Sequence, residues 1–325
     1  MNRLRAFRDI EGLNQADLAG LVGLSVPMVS AIESGRRPFN GDLTAIGYDP
    51  RRLTLPDMSE PIHRARASTA VAAKKRAKEL LRLAGEVFGE LLDVTPNAPR
   101  VLLQRVPSTS DLNEIDELSG EFRALLGQED NGPIRNLTAA VERAGVCLVP
   151  IPHLPGLDGL SSWVNGIPVI GTDPFVTGDR FRITVGHECG HLMFHSRRHD
   201  TTESEANRFA GTLLFPRDDF DAAMVDKPTL RHFISLKGSW GMSAAAIIYR
   251  AHELDYIDDS RYRALQIQMS KWRKREPGEI EPVAGSLFGR LVDVNGGVAA
   301  VAKKLGVNAK HLASLVDWNR RLRAV

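Results

Sequence analysis

His187, Glu188 and His191 stand within five residues of one another in the run Val185-Gly186-His187-Glu188-Cys189-Gly190-His191. On an α-helix, residues four apart share a face and lie about 6 Å from each other. Two imidazoles so placed can share one zinc ion at about 2.0–2.1 Å each. Glu188, beside the first histidine, is then placed to act as general base on a zinc-activated water. Phe181, Ile183, Thr184 and Val185 before the motif, and Leu192, Met193 and Phe194 after it, would seat such a helix in a core. The pattern predicts a zinc hydrolase site, with a peptidase as the simplest case. The competing reading is a buried helix with two structural histidines. Cys189 faces away from both histidines by helical phase.

A catalytic zinc needs three protein ligands and one open position. The extended pattern that continues with glycine and a third histidine is excluded, because Phe194 and Arg197 occupy those places. His195 lies one turn beyond His191. A straight helix puts it roughly 12 Å from His187, too far to share their ion. It is expected to pack or hydrogen-bond near the helix end, and His199 is a loop candidate. Glu203 and Glu205 open the next helix, where carboxylates also suit the macrodipole. Phe209 and Leu213 follow Glu205 at i+4 and i+8, so Glu205 lies on the inward face and Glu203 on the more exposed one. That phase selects Glu205 as third ligand. Tyr249, His252 and Tyr262 are available as oxyanion donors, and sequence does not choose among them.

These residues need elements to position them. The chain has 325 residues, enough for two or three domains, with 43% hydrophobic and 25% charged residues. The net charge of +2 points to no partner class. Two cysteines make no disulfide framework, the charged N-terminus has no signal-peptide core, and no apolar run could span a bilayer. A cytoplasmic protein without membrane contact is expected. Upstream of the motif, helices are predicted over residues 114–126 and 134–144. A buried strand follows over 146–151, then a hairpin of 160–164 and 167–171 around Asn165-Gly166. The motif helix is predicted over 179–195 and the next over 203–214, closed by Pro216.

At the other end, helices are predicted over 3–10, 15–22 and 26–33. Gly12, Gly23 and Gly35 stop them, and Asn14 and Ser25 are the caps. The stretch GLNQADLAGLVGLSVPMVSAIESGRRP resembles the repressor-type (Cro/C1, or XRE) helix-turn-helix over roughly residues 3–55. In that family the third helix enters the major groove of double-stranded DNA. The resemblance offers Val26, Pro27, Ser30 and Ala31 to base edges, with Gln15, Ser25 and Arg36 as further DNA contacts. Val26, Pro27 and Ala31 depart from the family's polar residues and could meet only thymine methyls. The block's charge is close to balanced, which leaves open a protein-binding or dimerisation role. A linker over residues 50–61 leads to a basic helix over 63–92, either a phosphate-contacting face or an ordinary solvated one.

The segments DRFRITVGHECGHLMFH and ESEANRFAGTLLFP, with GPIRNLTAAVERAGVCLV and GLSSWVNGIPVI upstream, resemble the ImmA/IrrE family of zinc metallopeptidases over about residues 111–270. The resemblance implies zinc held by His187, His191 and Glu205, with Glu188 as general base. It also implies cleavage of a repressor or partner protein in a stress, phage or toxin–antitoxin setting. The alternative is a non-proteolytic repressor or antitoxin that uses the peptidase fold for sensing or partner binding. Expected partners are a DNA operator and a protein substrate, repressor or toxin, with a homodimer allowed for. The expected fold is mainly α with a small sheet (α+β). It comprises an all-α helix-turn-helix domain (1–57), a linker and basic helix (58–110), a zincin-like α+β domain (111–270) and C-terminal helices (271–325). Helix-turn-helix spacing recurs around Gly306-Val307-Asn308, and ordinary helical packing is the preferred reading there.

Overall fold

The computed structural model describes residues 3–54, 71–128, 131–151, 158–196, 199–272 and 276–318. The predicted linker from residue 55 on, and the basic helix before residue 71 with Arg64 and Arg66, lie outside them. The described residues form fifteen helices and three strands. They are α1 (Leu4–Glu11), α2 (Gln15–Leu21), α3 (Val26–Glu33), α4 (Val71–Val94), α5 (Leu112–Leu125) and α6 (Leu137–Arg143). Strands β1 (Cys147–Pro150), β2 (Gly159–Val164) and β3 (Ile167–Thr172) follow. Then come α7 (Gly178–Phe194), α8 (Thr202–Leu214), α9 (Arg217–Ala223), α10 (Leu230–Trp240), α11 (Ala244–Glu253) and α12 (Asp259–Met269). The chain ends in α13 (Leu287–Val294), α14 (Gly297–Leu305) and α15 (Ala309–Val316). The fold is mainly α with a small sheet.

The contacts divide the chain into two compact units that do not follow its order. The first holds residues 1–101, 145–173 and 285–325, and so combines the N-terminal helices, the sheet and the last three helices. Its sheet has the order β1-β3-β2, with β1 parallel and β2 antiparallel to β3. The β2–β3 turn is Asn165 (φ 50) and Gly166 (φ 82), the left-handed pair that matches strand twist in a two-residue hairpin. Helix α4 packs on the sheet, with Leu81 against Gly171 of β3 and Gly89 against Ile167. At Gly85 a Cβ would sit 2.6 Å from Val164, so only glycine lets helix and strand come this close. Residues far apart in the chain meet here: Arg52 donates to the Leu305 carbonyl (2.8 Å), and His311 Nε2 is 2.8 Å from Glu11 Oε1.

Within this unit, α2 and α3 form the helix-turn-helix. Asn14 caps α2 by accepting from the amides of Ala16 and Asp17, and Asp17 accepts from the Asn14 amide in return. Gly23 takes φ 69 in the turn, a conformation costly for any residue with a Cβ. Leu18, Ala19, Val22, Val29 and Ile32 are buried between the helices.

The second unit holds residues 102–144 and 174–284 and contains the motif helix α7. α7 packs along α8 at glycines: a Cβ on Gly186 would lie 3.3 Å from Ala210 Cα, and one on Gly190 3.3 Å from Ala206 Cα. α5 covers the other side of α8, where Arg123 donates to the Leu213 carbonyl (2.7 Å) and Arg208 pairs with Asp116. Asp179, in the first turn of α7, is buried against Lys237 of α10 at 2.7 Å. Burial works to raise its pKa, but bonds from Lys237 and Thr177 hold the carboxyl below its usual range.

Candidate metal centre and helix-turn-helix surface

α7 places His187 and His191 one turn apart, their rings meeting edge to face at 4.5 Å between centroids. α8 brings a carboxylate across: Glu203 Oε2 lies 3.6 Å from His187 Nε2, and Glu203 Oε1 lies 4.0 Å from His191 Nε2. One ligand atom from each of the three residues falls within 4.8 Å of the others, the compass of a single ion. Glu203 Oε1 is buried and accepts no hydrogen bond from the described residues. A buried carboxylate oxygen without a donor is costly unless a cation meets it, so this donor set fits a metal. Glu188 is buried on the same helix.

Each histidine's other nitrogen is engaged. His187 Nδ1 is 2.9 Å from Asn207 Oδ1, so the amide oxygen can accept the ring hydrogen and leave Nε2 for a metal. His191 Nδ1 is 2.9 Å from His195 Nδ1, and His195 Nε2 is 2.8 Å from Glu205 Oε2. Burial lowers the His195 pKa despite that carboxylate. Glu205 is buried, which works to raise its own pKa, but bonds from Thr201, His195 and Ser110 hold it below the usual range. Burial pushes the Cys189 thiol up, with Glu188 adding to the effect.

Glu205, the third ligand expected from helical phase, is therefore not among the groups that meet His187 and His191. The inward phase identified the residue that packs, whereas an ion-binding face must stay partly open. Glu203 is half-buried and Glu205 is buried. The usable signal was the spacing of Glu203 and Asn207, four apart on one face and both reaching the imidazoles. Asn207 and Ser110 were not singled out from sequence. Among the oxyanion candidates, His252 bonds Asp259 at 2.8 Å and stacks on Tyr262. Tyr249 is partly exposed, and burial with the nearby Glu253 raises its pKa.

The helix-turn-helix surface is organised differently. Gln15 donates to Glu33 Oε2 (2.8 Å), and Arg8 pairs with the same carboxylate (2.6 Å to Oε1). Ser25 stands at the start of α3 without a side-chain cap bond, next to exposed Val26 and Pro27. Ser30 and Ala31 are half-buried. Arg36 is exposed just beyond the helix and donates to Ser34 Oγ (2.8 Å).

Residues 142–252 match the family model of the IrrE N-terminal-like domain, a peptidase family. Residues 4–43 match a helix-turn-helix model. The chain carries a helix-turn-helix domain near its start and an IrrE-like domain across its middle, each matched over part of its length. The IrrE-like match takes in the sheet, the motif helix and the helices through α11, and so contains His187, Glu188, His191 and Glu203. No curated protein matches the chain. Among the described residues, no single helix is long and apolar enough to cross a membrane.

Proposed function

We propose that this protein is a cytoplasmic DNA-binding regulator whose IrrE-like domain is a zinc-dependent endopeptidase acting on a repressor or other partner protein. The observation that carries this reading is the convergence of His187 Nε2, His191 Nε2 and Glu203 on one point, with Glu188 beside them on α7. His187, His191 and Glu203 would hold the ion. Zinc bound there supplies Lewis acidity toward a water and a peptide carbonyl. Glu188 takes the proton of the attacking water and returns it to the leaving amine. Asn207 fixes the tautomer of the His187 ring, and His195 does so for His191 when its own hydrogen lies on Nε2 toward Glu205, so that both ligand rings present Nε2. The helix-turn-helix directs the domain to an operator, which makes a regulatory protein the fitting substrate.

The test is metal analysis of wild type and Glu188→Gln, then incubation of each with proteins encoded nearby. Metal in both and cleavage by wild type alone is the expected result. Partners that stay intact yet bound to both forms would replace this reading with a non-proteolytic repressor or antitoxin.

A further inference from the structure

His195, His199 and Glu205 form a second cluster at the end of α7 and the start of α8. Their ligand atoms also lie within 4.8 Å of one another. His195 Nε2 is 2.8 Å and His199 Nε2 is 3.8 Å from the same oxygen, Glu205 Oε2. In each residue the remaining polar atom is engaged from outside. His195 Nδ1 meets His191 Nδ1 at 2.9 Å, His199 Nδ1 meets Thr201 Oγ1 at 3.0 Å, and Glu205 Oε1 accepts from Ser110 at 2.7 Å. Three residues thus each turn one donor atom toward a common point while an outer partner orients the other. That arrangement is the mark of a metal-ligand set. His195 and Glu205 are buried and His199 is open to solvent, which leaves a route of entry.

We propose that His195, His199 and Glu205 bind a second divalent cation of the zinc class, antagonistic to the ion at His187, His191 and Glu203. Two imidazoles and one carboxylate favour zinc, cobalt or nickel over magnesium or calcium. The antagonism follows from hydrogen positions and rests on the metal reading of the first centre. Between His191 Nδ1 and His195 Nδ1, 2.9 Å apart, there is room for one hydrogen. With an ion on His191 Nε2, that hydrogen belongs to His191, and neutral His195 carries its own on Nε2, donated to Glu205. A cation on His195 Nε2 requires the opposite placement, with the hydrogen on His195 Nδ1. Each ion therefore opposes the other, and by linkage each weakens the other's binding by the same factor, on the order of 5–150-fold.

The full-length apoprotein is titrated with Co2+, followed by visible absorption, and with Zn2+ by calorimetry. Wild type should bind two equivalents, His199→Ala one, His187→Ala one, and the double variant none. The single equivalent in His187→Ala should bind about 5–150-fold tighter than the second equivalent in wild type. His199 is exposed and lies outside the first centre, so its removal leaves that centre's ligands in place. One equivalent in wild type, lost in His187→Ala and kept in His199→Ala, overturns the second site and leaves the first. One equivalent with the reverse pattern overturns the first centre and keeps the cation site. Two equivalents untouched by His199→Ala, or equal affinity in His187→Ala and wild type, sinks the site or its antagonism respectively.

Discussion

Helix α7 is buried along most of its length, whereas α3 buries only Val29 and Ile32. The polar side chains of α7 are held at both ends: Asp179 by Lys237, His187 by Asn207, and His191 by His195. At the start of α3, Val26 and Pro27 are exposed and Ser25 makes no cap bond, while nearby Gln15 and Arg8 are already bonded to Glu33. The candidate ion-holding groups are set on a mostly buried helix and its neighbour, with His191 buried and His187 and Glu203 half-buried. A surface that must read DNA keeps its donors outward, and α3 keeps few. On the proposed reading, sequence discrimination by bidentate hydrogen bonds would be weak, and affinity would rest on exposed cations such as Arg36 and Arg37 and on contacts with the phosphate backbone.

The sharpest way to break this contrast is to remove the anchor of α7. Lys237→Ala leaves Asp179 as a buried, unpaired carboxylate and should cost about 3–5 kcal/mol, read by denaturant unfolding. The pH dependence has a definite sign. Asp179 is depressed, so its contribution is present above the unfolded value of about 3.9 and is lost as pH falls through the lower folded one. Lys237 is raised, with burial opposed by its bonds to Asp179 and Glu276. Its contribution is present below about 10.4 and is lost only above that, through the higher folded value. Wild-type stability should therefore hold on both flanks, and the variant should lose this plateau.

Next in size is the outer support of the centre. Asn207→Ala should weaken metal binding about 10–100-fold, measured by chelator competition, with operator binding unchanged. On the head, Arg36→Ala should lower DNA affinity about equally across sequences and reduce the slope of log affinity against log salt by about 1. A sequence-selective loss would instead show that Arg36 reads a base. The smallest effect is expected for Gln15→Ala. With its amide given to Glu33, it should change DNA affinity by less than about 1 kcal/mol. A larger loss in a binding titration would mean that Gln15 leaves Glu33 to contact phosphate.

Local chemistry made much of this legible in sequence. Gly12 ends α1 in the left-handed conformation, Asn14 caps α2 as expected, and Asn165-Gly166 turns the hairpin. Each depends on residues a few places apart. The grouping of the sheet with the first and last helices was not legible, because it rests on pairs such as Arg52 with Leu305, and Glu11 with His311, which no periodicity links. Helix α9 is not evident in the sequence, where Pro216 signals only the end of α8. The same proline also serves as the N-cap of the helix that follows, where its missing amide hydrogen costs nothing. At the centre, His187 and His191 declared themselves by type and spacing. The choice between Glu203 and Glu205 depended on which face of α8 meets α7.

That meeting is set by Gly186 and Gly190, each of which would place a Cβ within 3.3 Å of the α8 backbone. The bore of the centre is therefore gauged by a seam of two missing methyl groups. A methyl at Gly190 would press on Ala206 Cα and the Phe209 ring at 3.3 Å, so α8 would have to give by a few tenths of an ångström. If the centre holds an ion as proposed, the ionic radius it prefers would be a property of two residues that never touch that ion.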